Sequence, residues 1–249
     1  MRPLARRQLL RTEWPLLALA LLALVVWLSP PQRLERINHM VQDAGLRLHQ
    51  RSPQPDIALI AIDEASLAAI GRWPWRRALH AQLLDTVAQQ QPRAIALDIL
   101  FNEADLDYPA DDALLARAIA ANGRTVLPVL QRSQGALHQS NRSGQADLPL
   151  ALFANAAAAL GHVHVALGHD GVVRELFLQE GPRSAPWPHL SVALQCAAGV
   201  ALPECQTAPT IATDAASEPW TQQQRERIAY AGTAAQWPTY SYIDVLRGQ

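Results

Sequence analysis

Lysine is missing from this 249-residue chain: all 21 basic side chains are arginine. With 22 acidic residues the formal charge is -1, so no basic surplus exists to form the face that a nucleic-acid backbone requires. Nucleic acid is excluded as a partner. Cysteine occurs only at Cys196 and Cys205, with neither a Cys-x-x-Cys pair nor zinc-ligand spacing around them. That leaves two readings: a disulfide closing a short loop in an oxidising compartment, or two unpaired thiols. Also absent are a Gly-x-Ser-x-Gly elbow, a phosphate-binding P-loop, a His-Glu-x-x-His motif and a dinucleotide fingerprint. Their absence removes the enzymatic hypotheses they would carry, and neither catalysis nor a cofactor is expected. No internal repeat is visible.

The chain is about half apolar, enough for a sizeable core. Arg2, Arg6, Arg7 and Arg11 precede an uncharged run from Trp14 to Leu28, with tryptophans near both ends. Arginine on that side predicts a cytoplasmic N-terminus. The run is short for a span and ends at Ser29-Pro30-Pro31. An uncleaved anchor and a cleaved signal peptide are the two readings; no Ala-x-Ala site follows, which favours the anchor. Both export the rest of the chain. The expected division is a tail over 1–13, an anchor over 14–29, a stalk helix and linker over 30–55, and an exported sensory domain over 56–249. In the stalk, Leu34, Ile37, Val41, Ala44 and Leu48 recur at steps of three and four. That stripe suits either a homodimer seam or a helix packed on its own domain.

Beyond Asp56 the pattern alternates apolar strands with helices. Strands are expected over 57–63, 94–100 and 125–130, the last an edge or strand end because of Pro128. Helices are expected from Arg77 to Gln90, from an Asp111 cap to Asn122 (apolar face Leu114, Leu115, Ala118, Ile119), from Asp147 to Ala159 and from His189 to Val200. Residues 131–145 read as a mobile loop or lid. His162–Leu167 and Val172–Leu178 flank Gly168-His169-Asp170-Gly171, a hairpin signal. Ala201–Gln224 reads as loop, 227–232 as a late strand, and 240–246 as a last helical turn directed back towards the membrane. The fold class is α/β: a three-layer, mostly parallel sheet with helices on both faces and an antiparallel hairpin extension, preceded by one transmembrane helix.

Candidate ligand contacts gather at the expected strand ends. Asp63 and Asp98 close the first two strands, at the edge where open α/β sheets bind ligands. Glu64 adjoins Asp63. Arg72-Trp73-Pro74-Trp75-Arg76 forms a rigid aromatic shelf flanked by guanidinium groups, suited to a planar or anionic ligand. Asp170 and Arg174 flank the hairpin turn. Each has a structural alternative: Asp63 as a helix cap, Asp98 bonding a loop amide, the tryptophans as core, Asp170 and Arg174 as turn residues. His162 and His164 share a strand face, with His169 nearby; a half-exposed polar face is favoured over zinc, and no metal is expected.

In order along the chain, Ile57–Leu67, Gly71–Arg76, Ala94–Phe101 and Asp170–Arg174 resemble the type-2 CHASE domain, an extracellular sensory domain associated with cyclases and histidine kinases. The resemblance runs from about Leu34 to Leu246. It implies a periplasmic sensory module held in the inner membrane by one N-terminal helix. Further membrane helices and a cytoplasmic kinase or cyclase usually follow in the family. None precedes Gln249, so any catalytic output is expected elsewhere. No ligand is carried over. The expected function is ligand sensing for a bacterial membrane receptor in a two-component or cyclase system. The alternatives are a periplasmic assembly module and a periplasmic hydrolase using Asp63 and Asp98.

Overall fold

The computed structural model describes residues 4–28, 31–48, 51–131, 146–207 and 218–248. The chain divides into two compact units, 1–53 with 229–234 and 54–228 with 235–249.

The first unit holds α1 (Leu4–Leu28) and α2 (Pro31–Leu48), with a parallel bridge between Arg51 and Ala231. Pro31 occupies the first turn of α2, where its missing N–H leaves no bond unmade. Along α1, Trp14, Leu16, Leu17 and Trp27 are exposed. Among the described residues no helix is long and apolar enough to cross a membrane. The expected transmembrane helix over 14–29 is corrected to that extent. Trp14–Leu28 has 15 residues, rising about 22 Å at 1.5 Å each, against a hydrocarbon core of about 30 Å. Within the seam read on α2, Val41 is exposed; the side chains of Leu34, Ile37 and Leu48 lie outside the described residues.

The second unit is a mixed α/β fold with several sheets. Its parallel sheet has the order β2 (Ile95–Ala96), β3 (Thr125–Gln131), β5 (Ala159–His162), with β4 (Ala146–Asp147) antiparallel at the end of β3. Helices cover both faces. On one side α4 (Arg77–Ala88), α5 (Pro109–Asn122) and α6 (Ala151–Ala156) bury Leu84, Leu115, Ile119 and Phe153 around Leu127. On the other, α7 (Leu190–Ala197) sets Leu190 and Ala193 against Val126. Contact there is close: a Cβ built on Gly161 would meet the Leu190 Cα at 2.7 Å, so only glycine lets α7 lie this near β5.

Pro128 does not mark an edge. β3 is the central strand, and Val126 O accepts from the Leu97 N–H while Thr125 and Val129 face β5. Position 128 therefore points to the β2 side, beyond the last residue β2 pairs. The N–H that proline lacks falls in a gap of the ladder and costs no bond.

The hairpin is present but does not extend the parallel sheet. β6 (Val165–Leu167) pairs with β7 (Val173–Pro182) through a bulge at Ala166/Leu167. β7 is the middle of a separate antiparallel sheet, with β6 and β8 (Trp187–Pro188) along one side and β9 (Trp220–Arg227) along the other. Residues 220–224, read as loop, thus belong to a strand, and the late strand at 227–232 is displaced to β9. Polar sequence hid it: Thr221-Gln222-Gln223-Gln224-Arg225 carries no apolar alternation. Similarly, β1 (Leu59–Ala61) pairs in parallel with β10 (Thr239–Ser241), not with β2, and α8 (Tyr242–Leu246) follows β10. The expected lid falls at 132–145, outside the described residues, as do 208–217 of the expected 201–224 loop.

Two helices differ in detail from expectation. α4 ends at Ala88 rather than Gln90, and its apolar side chains divide between two clusters: Leu84 enters the core around Leu127, while Leu83 and Leu79 join Trp75 and Tyr242. α5 starts at Pro109 with Tyr108 in the cap position, so Asp111 is not its cap, and Leu114 is exposed. Gly123, at φ 63°, closes α5 in the left-handed conformation.

Candidate functional site

One carboxylate oxygen of the strand-end acid Asp63 is taken up by local structure. Its Oδ1 accepts from the Ser66 N–H (2.9 Å), the Ser66 hydroxyl (2.6 Å) and the Ser241 hydroxyl (2.9 Å). Asp63 therefore caps α3 (Glu64–Ile70), as aspartate after a strand commonly does. The buried Ser66 oxygen in turn accepts from the Ile243 N–H, which fastens α3 to the start of α8. The Ser66 bonds, with Ser241, hold the Asp63 carboxyl below its ordinary range.

The tryptophan shelf is half core. Trp75 is buried with Leu83 and Tyr242, and its Nε1 donates to the Gly71 carbonyl at 2.8 Å. Trp73 lies edge-on to Trp75 and to His80, at 5.4 and 5.6 Å between ring centres, and keeps 36% of its surface in solvent. Arg72 and Glu64 are exposed. His80 is buried and meets the Tyr242 hydroxyl at 2.9 Å. Burial, helped by the Arg77 charge, pushes its pKa down to about 4, while burial pushes the Tyr242 hydroxyl up.

Arg76 is spent on Asp111, gripping both carboxylate oxygens at 2.9 and 3.0 Å, with its guanidinium 3.8 Å above the Tyr108 ring. That fork holds the Asp111 carboxyl below its ordinary range. Arg77 pairs with Asp112 beside it, so two ion pairs clamp the start of α4 to the start of α5. Asp170 and Arg174 bond each other through two contacts of 2.9 and 2.8 Å within the turn. This is the structural alternative foreseen for them.

Asp98 stands apart. It is exposed, and its charge acts on His189 at the start of α7. Among the described residues no contact joins it to Asp63 or the tryptophans. The site drawn from the sequence thus falls in four places: the Asp63–Trp75 flank, the Arg76–Asp111 clamp, the hairpin turn, and Asp98 beside α7.

A different polar cluster sits inside the fold, where β5, β7, β9 and the start of α7 meet. Its centre is Glu180, on β7 and wholly buried. Trp220 Nε1 donates to Oε1 at 2.6 Å and His164 Nδ1 lies 2.8 Å from Oε2. A carboxylate only accepts, so that His164 nitrogen carries a proton; Gln222 Nε2 then donates to Oε1 at 3.3 Å. Burial pulls the Glu180 carboxyl up, but the bonds from His164 and Trp220 prevail and hold it below its ordinary range.

His162, at the end of β5, is 1% exposed, and neither ring nitrogen has a hydrogen-bond partner. Its Nδ1 is 3.6 Å from Glu180 Oε2 and its ring stands edge-on to His189 at 5.1 Å. Burial pushes its pKa down to about 4, against the pull of Glu180. His189 caps α7 by accepting from the Ser191 N–H at 3.2 Å, and its pKa is lowered by burial. The indole nitrogen of buried Trp187, on β8, is likewise unpartnered.

The sequence had offered His162 and His164 as a half-exposed face. His162 is instead fully inside, although both rings approach the same Glu180 oxygen. Glu180 and Trp220 were missed altogether, because β7 was read as stopping at Leu178. The one available signal was a glutamate placed between an apolar strand and a Gly-Pro. Among the described residues no group of histidine, cysteine, aspartate and glutamate could hold a metal ion.

Cys196, in α7, is disulfide-bonded to Cys205, in the 3-10 turn Pro203–Thr207, with 5.5 Å between Cα atoms. No curated protein and no solved structure matches the chain. A family model does: residues 17–248 match the CHASE2 domain, nearly the whole chain, and the protein therefore belongs to the CHASE2 family of extracellular sensory domains.

Proposed function

We propose that the chain is the ligand-sensing part of a bacterial membrane receptor, held at the inner membrane by its N-terminal segment with the folded α/β unit outside the cytoplasm. The family match over 17–248 carries this reading. The Cys196–Cys205 disulfide supports it, since such bonds persist in oxidising compartments. So do the arginine-led N-terminus and the exposed apolar side chains of α1. The hydrolase alternative loses its basis, because Asp63 is a cap and Asp98 is not joined to it. In cells, a reporter fused after Gln249 is expected to be active only in the form that works in the periplasm. Both thiols should resist alkylation until a reductant is added. A reporter active only in the cytoplasmic form overturns the reading.

Such a receptor signals by shifting a dimer between states that bind the ligand differently. We assign the dimer contact to α2, through Leu34, Ile37, Val41 and Leu48. The support is the spacing of those residues and the exposure of Met40 (72%) and Val41 (66%). Val41→Cys is expected to yield a disulfide-linked dimer on a non-reducing gel of membranes. A monomeric band under the same oxidation removes α2 as the seam.

A further inference from the structure

We propose that the junction of His162, Glu180 and His189 is an acid-released latch: a proton taken up by the His162 ring frees the segment formed by β8 and α7 from the antiparallel sheet. Geometry sets this up. His162 occupies a dry position where β5 meets α7, bridged through its backbone to His189. Once protonated, both ring nitrogens must donate. Glu180 Oε2, the acceptor nearest to Nδ1, already takes the proton of His164, and Oε1 is filled by Trp220 and Gln222. Oε2 keeps acceptor capacity, but at 3.6 Å it is too far for a hydrogen bond from Nδ1, so in the closed fold an imidazolium has only this carboxylate and the Phe177 carbonyl beside it and no solvent.

The titratable groups facing the ring from each neighbouring element are few. They are Glu180 on β7, His164 after β5, and His189 at the cap of α7, with Asp98 after β2 acting on His189. β9 contributes only the neutral Trp220 and Gln222. Two more histidines share this one carboxylate, which leaves little to stabilise a further positive charge.

The join of this segment to the antiparallel sheet is short. β8 makes only a two-residue pairing with β7, Gln179 to Pro188 and Glu180 to Trp187. The buried Trp187 indole nitrogen has no partner. Opening solvates the His162 ring and the Trp187 N–H together. In a domain outside the cytoplasm, ambient acid would act on this latch directly.

Hydrogen exchange tests it, on the full chain in detergent micelles between pH 7.5 and 5, with rates divided by the intrinsic rate at each pH. The closed ring titrates near 4 and an open one near 6.5, so the open population of residues 187–196 should rise about 30-fold at pH 5. Residues 111–119 of α5 serve as the reference. His162→Gln should abolish the response, and His80→Gln, in the other cluster, should keep it. The latch is overturned if 187–196 responds no more than α5, or if His162→Gln responds like the parent. Should that variant fail to fold, ring NMR of the parent decides: the His162 titration must track the opening, and titration without added exchange overturns the latch. The latch is independent of compartment, so a cytoplasmic reporter signal and a flat exchange profile are separate failures.

Discussion

Glu180→Ala is expected to destabilise the domain by about 3–5 kcal/mol, the range seen when one partner of a buried charged network is removed. Glu180 is wholly buried and accepts from Trp220, His164 and Gln222. Alanine leaves a cavity and strands the Trp220 indole N–H, whose ring is 4% exposed and cannot reach water without moving. For a domain of this size the melting temperature should fall by about 10 °C or more. Glu180→Gln should cost less, since its carbonyl oxygen can still accept from the indole. Urea melts of the three proteins decide the matter. If alanine and the parent unfold at the same urea concentration, the carboxylate does not hold the sheet together.

The second large effect is acid destabilisation between pH 6.5 and 4. His80 and His162 are each lowered by burial from 6.5 to about 4. The unfolded chain binds protons at these rings in that window and the folded chain does not, so stability falls as pH falls. Below about pH 4 both states are protonated and the two rings add no further loss. Each shift corresponds to about 3 kcal/mol, hence about 6 kcal/mol together. That is a large share of a typical stability of about 5–15 kcal/mol. Denaturant melts at half-unit pH steps should show a steep decline over this window. A flat profile from pH 7 to 4.5 contradicts the burial of uncharged rings. His80→Leu should remove roughly half the slope, provided the Tyr242 hydroxyl, bonded to His80 at 2.9 Å, finds another partner.

The two effects share a cause: polar groups lie inside the fold, where solvation is replaced by a small, fixed set of partners. Glu180 has its partners and stabilises the junction of β7 and β9. His162 lacks them and makes the neighbouring join sensitive to protons. A sensory domain benefits from such a contrast, because the element that moves must be drawn from the less stable part of the structure.

Much of the fold is written in local sequence. The helices at 77–88, 109–122 and 190–197 follow from apolar spacing and from Gly123, and the hairpin turn from Asp170-Gly171. Composition showed no basic surplus to support a nucleic-acid partner, and the ordered motifs from Ile57 to Arg174 pointed to the family that the match over 17–248 then established. These features depend on neighbours a few residues apart, which a single sequence displays. Strand partnership does not. β1 pairs with β10 across about 180 residues, and β9 pairs with β7 despite a run of glutamines. Only the packed chain fixes such contacts, because each is chosen among many alternatives by the burial it permits. The same reason separates the site read from sequence from the one that exists in space. Asp63 and Asp98 look equivalent at two strand ends, yet one is tied down by Ser66 and Ser241 while the other stands alone near His189. Glu180, inconspicuous in the sequence, becomes the centre of a buried network only when β5, β7, β9 and α7 converge on it.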